Sequence, residues 1–277
     1  MGKKEFAMAG LENHYSVNDI ETRILAALRA AGLDPEQQLS PVELGALDHF
    51  HTGGFRASLV LKDLAQIRAE DRILDIGAGL AGPARMLAAS PGCQVDCIDL
   101  SPDYCVAALL LNRLTGLGEH VSVNVGSALD IPFADNSFDA VWMQNVGMNI
   151  PDKPKLYQEI SRVLKPGGRF AFQEMVAGET PATYFPLPWA TDATDNFLIS
   201  ASEMHTELTR SGFRALYFED VSEAPLPSPA NGTDGGAAQV PLSLSAYVDN
   251  LAQKADNAAR SLRERQIRLF RGVFRAK

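Results

Sequence analysis

Ile73-Leu74-Asp75-Ile76-Gly77-Ala78-Gly79-Leu80-Ala81-Gly82-Pro83 decides how this chain folds. Ile73–Ile76 reads as a short buried strand. Gly77 and Gly79 allow a turn too sharp for most side chains and let the backbone approach a ligand closely. Pro83 suits the first turn of a helix. Strand, glycine turn and helix in that order open a βαβ unit.

The bare G-x-G-x-x-G also fits a dinucleotide site, with a pyrophosphate on the helix N-terminus. Asp75 tilts the choice. It stands two residues before Gly77, where a carboxylate repels a pyrophosphate but can hold a cationic amino-acid moiety. Asp99 ends the next strand, about twenty residues on, where an acidic side chain accepts from ribose hydroxyls. Its bland alternative is a cap before Ser101-Pro102.

Outward from the turn, apolar runs alternate with helical stretches. Strands are expected near Ile73–Ile76, Val95–Leu100, Val121–Val125, Ala140–Gln144, Phe170–Met175 and Ala215–Glu219, with a last one through Leu269 and Phe274. Helices are expected near Pro83–Ala89, Cys105–Leu114, Lys155–Val163 and Ser202–Ser211, and through Tyr247, Leu251, Ala255 and Leu262. This alternation predicts an α/β fold with a mostly parallel sheet covered on both faces. Residues 1–68 read as an N-terminal helical cap. A helix follows Ser16, with Ile20, Ile24 and Leu28 inward. Ser40-Pro41 and Glu43 form a capping box for a second, and Phe55, Leu59 and Leu64 mark a third. Residues 69–277 form the ligand-binding domain. An insertion falls at about 176–200, and 225–241, rich in Pro, Gly, Ala and Ser, reads as a mobile connection.

The net charge of −9 makes a nucleic-acid partner a poor expectation. Arg260, Arg263, Arg265, Arg268, Arg271, Arg275 and Lys277 cluster near the C-terminus and read as a solvated helix face and strand. Cys93, Cys97 and Cys105 are three thiols, an odd number, which points to a reducing compartment. Cys93 and Cys97 read as buried fillers on one side of a strand. No metal site is expected, because this region has too few ligands for zinc. No signal peptide and no membrane-spanning apolar run are visible, so a cytoplasmic enzyme is expected. Its oligomeric state stays open, a homodimer included.

The order of motifs resembles the class I S-adenosylmethionine (SAM)-dependent methyltransferases. The marks are Asp75-Ile-Gly-Ala-Gly79, Ile98-Asp99-Leu-Ser-Pro102, Ile131-Pro-Phe133, Ser137-Phe-Asp-Ala-Val141 and Val163-Leu-Lys-Pro-Gly-Gly-Arg-Phe170. Within the class, the chain is similar to the small-molecule branch that includes ubiquinone/menaquinone and sarcosine/dimethylglycine methyltransferases. The resemblance implies a Rossmann-like, doubly wound, seven-stranded sheet with an antiparallel last strand, and SAM as cofactor. It implies Asp75, Gly77, Ala78 and Gly79 along the methionine part. Asp99 would hold the ribose, Leu100 lie against adenine, Ser127 and Ala128 meet the adenine edge, and Gln144 lie beneath. Ser127 departs from an acidic residue often found there.

An open parallel sheet binds ligands beyond the carboxyl ends of its strands. That places Gln144, Asn145, Asn149 and Glu174 near a methyl acceptor. Asp48-His49-Phe50-His51-Thr52-Gly53-Gly54 resembles an element that covers SAM, so His51 is expected as a cofactor contact or a base, or as a structural histidine. Tyr184 and Trp189 flank an aromatic insertion of the kind that covers acceptors. Glu174 is the first expectation for orienting or deprotonating the acceptor, and His51 the second. The expected activity is methylation of a small molecule, at an amine nitrogen on the resemblance of Trp142-Met-Gln-Asn145 and Pro151-Asp152. The alternative is carbon or oxygen methylation of an isoprenoid, quinone or other apolar metabolite. A non-catalytic SAM-binding protein and an NAD-dependent oxidoreductase are the competing classes.

Overall fold

A computed structural model of the chain describes residues 17–223 and 242–277. Ser16 and the expected mobile connection 225–241 lie outside the described residues.

The cap comprises α1 (Ile20–Ala30), α2 (Pro41–Asp48) and α3 (Gly54–Ala65). Ile20, Ile24 and Leu28 form the buried stripe of α1, the spacing of one helix face. The capping box of α2 is present in full. Glu43 N–H donates to Ser40 Oγ at 3.3 Å, and Ser40 N–H donates to Glu43 Oε2 at 2.8 Å. Two amides that the helix cannot satisfy are met in this way.

The sheet follows: β1 (Arg72–Ile76), α4 (Gly82–Ala89), β2 (Gln94–Asp99), α5 (Pro102–Leu114), β3 (Val121–Val125), β4 (Phe138–Gln144), α6 (Lys153–Val163), β5 (Leu164–Ala177), α7 (Ala201–Arg210), β6 (Phe213–Asp220), α8 (Leu251–Arg263) and β7 (Ile267–Ala276). Its strand order is β3-β2-β1-β4-β5-β7-β6. Strands β1 to β5 pair in parallel, and β7 lies antiparallel between β5 and β6. The chain winds outward from β1 to β3, then returns to β4 on the other side of β1. The crevice at that reversal is where such sheets hold ligands.

Burial on both faces explains why the central strands read as apolar runs rather than as alternation. Leu74, Ile76, Val141, Met143, Phe170 and Phe172 enter one core cluster. Their neighbours Ile73, Ala140, Trp142 and Ala171 enter the other.

Three expectations change. Cys93 is buried but precedes β2 rather than lying in it. The last helix starts at Leu251, and Tyr247 closes a short 3-10 turn over Leu244–Ala246 instead. The arginine cluster is only partly a free face: Arg265 reaches Glu179 at 3.6 Å, Arg268 reaches Asp220 at 3.5 Å, and Arg271 donates to Gln173 Oε1 at 2.8 Å.

Candidate active site

The glycine turn leaves β1 with Gly77 at φ +64° and Gly79 at φ +54°. A Cβ on Gly77 would lie 2.5 Å from a Val146 methyl, so both the conformation and the space demand glycine. Gly77 and Ala78 N–H donate to Ile98 O at 2.8 and 3.2 Å. Gly79 N–H donates to Asp99 Oδ2 at 2.8 Å. The turn is thereby fixed to the end of β2.

A cavity opens above this turn. Its wall includes Asp75, Gly77, Ala78, Gly79, Asp99, Leu100, Ser127, Ala128, Gln144, Asn145 and Asn149, together with His51. Every residue expected to hold the cofactor therefore faces one space. Asp75 is buried, and its Oδ2 has no hydrogen-bond donor. Burial, with the nearby Asp99 carboxylate adding to it, pushes the Asp75 pKa well above the usual range, against the pull of Arg85. A buried carboxylate without a partner is costly, and a cationic ligand group supplies what it lacks. Asp99 also has a raised pKa, burial outweighing the N–H groups of Ser101, Gly79 and Leu100. Its oxygens accept from Ser101 and Gly79 at 2.9 and 2.8 Å. Each oxygen has a further lone pair for a diol. Ser127 Oγ accepts from Leu129 N–H at 3.1 Å.

A buried chain of hydrogen bonds orients Gln144. Trp142 Nε1–H can only donate, and it donates to Gln144 Oε1 at 2.8 Å. Ser58 Oγ, on α3, donates to the same oxygen at 3.0 Å. Gln144 Nε2 then faces His51 Nδ1 at 3.4 Å, and His51 Nε2 lies 3.1 Å from Ser58 Oγ. The set closes when His51 carries its proton on Nε2. Burial, with His49 adding to it, lowers the His51 pKa to about 3. His51 is thus a neutral wall residue, hydrogen-bonded to Gln144 of β4.

Glu174 takes another place than expected. It is fully buried, and its Oε1 and Oε2 accept from Val146 and Gly147 N–H, each at 2.9 Å. Burial raises its pKa to about 7 against those two bonds and Lys153. It braces the loop after β4 from behind and is absent from the cavity wall. Tyr184 and Trp189 are also outside the wall. The Tyr184 ring lies under the Arg260 guanidinium at 3.8 Å, and its hydroxyl donates to Glu264 at 2.7 Å. Trp189 packs with Met148, Met175 and Ile267 and donates to Asn196 Oδ1 at 2.9 Å. These insertion aromatics pack on the domain and do not line this cavity.

Other residues hold the site together without having been expected. Arg85, on α4, is fully buried and donates to Asp48 Oδ2 at 2.8 Å and Asn112 Oδ1 at 2.9 Å, and also contacts Leu80 O. Asp48 Oδ1 lies 2.6 Å from His49 Nδ1. Burial works to raise the Asp48 pKa, but His49 and Arg85 outweigh it and hold the carboxyl below its usual range. A Cβ on Gly82 would come within 2.3 Å of Asp48 O, so the cap and the glycine-turn helix touch backbone to backbone. Phe50, Tyr104 and Tyr247 also line the cavity. Tyr247 meets Tyr104 and Phe50 edge to face at 5.6 and 6.4 Å. A lone arginine inside the apolar run Ala84–Ala88 was the sequence signal for the Arg85 pair.

A sheet of this order, with its crevice at the reversal and an unmet carboxylate beside a glycine turn, is the architecture of class I SAM-binding proteins. A family model described as "Methyltransferase domain" matches residues 74–172. Methyltransferase GfsG of Streptomyces halstedii is 30% identical over 186 residues, 66% of this chain and 67% of the relative. The chain belongs to this methyltransferase family, whose methyl donor is SAM. A glycine/sarcosine/dimethylglycine N-methyltransferase of Actinopolyspora halophila is 37% identical over 157 residues, 57% of this chain, but the match spans only 28% of that relative. In fold, the chain is similar to geranyl diphosphate C-methyltransferase from Streptomyces coelicolor A3(2), with a TM-score of 0.68, 19% identity and 98% of each chain covered. That structure contains S-adenosyl-L-homocysteine (SAH). Among the described residues no helix is long and apolar enough to cross a membrane, and no cluster of His, Cys, Asp and Glu could hold a metal ion.

Proposed function

We propose that the protein transfers a methyl group from SAM to a small molecule by direct in-line displacement. The observation that carries this is Asp75, a buried carboxylate with an unmet oxygen at the mouth of the glycine turn. Asp75 would hold the cofactor's ammonium, Asp99 its ribose hydroxyls, and Leu100, Ser127 and Ala128 its base. When bound, SAM supplies a methyl already activated on a sulfonium. The chain's own task is then to align an acceptor and exclude water, and alignment can supply much of the rate. The Trp142–Gln144–Ser58–His51 chain fixes the floor of the site before any ligand arrives. An acceptor whose proton leaves to solvent after transfer needs no base from the wall.

Two acceptor readings stand. Methylation at an amine nitrogen is supported by the likeness around Gln144 to sarcosine/dimethylglycine enzymes. Carbon or oxygen methylation of an apolar metabolite is supported by the wall itself. With Glu174, Tyr184 and Trp189 outside it, the wall carries the apolar Phe50, Leu129, Val146, Ile150, Pro151 and Tyr247, with Asn145, Asn149 and Asp152 as polar neighbours. The geometry favours the second reading. Three buried free thiols support a reducing, cytoplasmic setting.

Titration calorimetry with SAM and SAH tests the cofactor. Asp99→Asn is expected to weaken SAM binding about tenfold or more, since a charged acceptor of hydrogen bonds is lost. Tight NAD binding without SAM binding would overturn the proposal.

A further inference from the structure

Among the described residues that line the cavity there is no lysine and no arginine. Its acidic side chains are Asp48, Asp75, Asp99 and Asp152. Its one histidine, His51, is half-buried in a hydrogen-bonded chain that accounts for both ring nitrogens in their neutral state. Among the described residues, Arg85, Lys153 and Arg271 come close to the wall, and each is hydrogen-bonded to another group of the protein. Arg85 is bound by Asp48 and Asn112, Lys153 Nζ donates to Phe197 O at 2.7 Å, and Arg271 is bound by Gln173. Outside the described residues, 224–241 contain no Lys, Arg or His, and 1–16 contain Lys3, Lys4 and His14.

We infer that the methyl acceptor of this site carries no carboxylate and no phosphate: it is an uncharged molecule with an apolar body. This rests on the methyltransferase reading above. SAM is itself a net cation, and an acidic wall suits it. An anionic acceptor would leave water for a space where none of the described lining residues offers a counter-charge, and burial of an unpaired charge is strongly unfavourable. The only positive charge opposite it would be the sulfonium, which is lost as the methyl leaves. Such an anion would be bound better before transfer than during it, which slows the chemical step. The wall therefore selects by repulsion as well as by fit.

The test incubates the full chain with methyl-labelled SAM and a whole-metabolite extract, then separates products on a strong anion exchanger at alkaline pH. Label in the unretained, neutral fraction is expected. Label confined to the retained, anionic fraction overturns the inference while leaving the methyltransferase reading intact. Label in neither fraction, with SAM binding intact by calorimetry, removes the methyltransferase reading and the inference with it. The product identified then supplies a matched pair: the neutral acceptor and its carboxylated or phosphorylated derivative. Binding of the two to the SAH-loaded protein is expected to differ at least about 100-fold in favour of the neutral member. Equal binding would overturn the inference.

Discussion

Asp75 is the residue on which the chemistry of the site turns. Its pKa is raised because burial and Asp99 both penalise its charge. A cationic ligand reverses that penalty, so SAM binding should lower the pKa and release a proton. The sign is fixed: affinity for SAM rises with pH through the range in which free Asp75 loses its proton. Calorimetry in buffers of different ionisation enthalpy measures the released proton directly. Glu174 has a raised pKa for another reason, and its effect falls on stability. Folding lifts it from its ordinary value of 4.5 to about 7, so the folded state holds this proton more tightly than the unfolded one. Stability from this group is complete below about pH 4.5 and is lost as pH rises toward 7. Glu174→Gln should flatten that part of the stability–pH curve, measured by denaturant unfolding. It should change turnover by no more than a few-fold, because Glu174 does not reach the cavity. A far larger loss of turnover at unchanged stability would restore it as a catalytic group.

At the scale of elements, the cap is joined to the nucleotide-binding turn by one buried ion pair. Arg85→Met would strip Asp48 of its counter-charge and should cost about 3–5 kcal/mol of stability. Asp48→Asn combined with Arg85→Met removes both charges, and should be more stable than Arg85→Met alone. Thermal unfolding of the single and double variants checks this. These elements also show what sequence can and cannot reveal. The strands were legible because burial on both faces makes them apolar runs bounded by turns, and β3 falls where its residues said. That Asp75, the glycine turn and Asp99 share one cavity wall was legible because they are near in sequence or follow from strand order. The acceptor side was not. Glu174 lies at a place where strands often end, but β5 continues to Ala177, while its partner β4 stops at Gln144 opposite Gln173. Its side chain is therefore left under the loop after β4. Tyr184 and Trp189 were assigned by their position in an insertion, and only tertiary contact with α8 and β7 shows that they face away. Phe50, Tyr104 and Tyr247 converge from three distant segments, so no local pattern announces them.

For the whole molecule, the first helix and the segment before α8 meet over the same crevice. Arg23 Nε, from α1, donates to Ala246 O at 2.8 Å, beside the Tyr247 that lines the cavity. Asp48 and Arg85 tie α2 to α4 below it. Lifting the cap would expose a paired charge and break backbone contact at Gly82. The cap and the glycine turn should consequently open as one cooperative unit rather than in sequence. Native-state hydrogen exchange would then give amides of α2 and of α4 a common opening free energy, and SAH should slow both sets by the same factor. Traffic of the cofactor would be limited by that shared opening: a molecule gated by its own local unfolding, with no separate door.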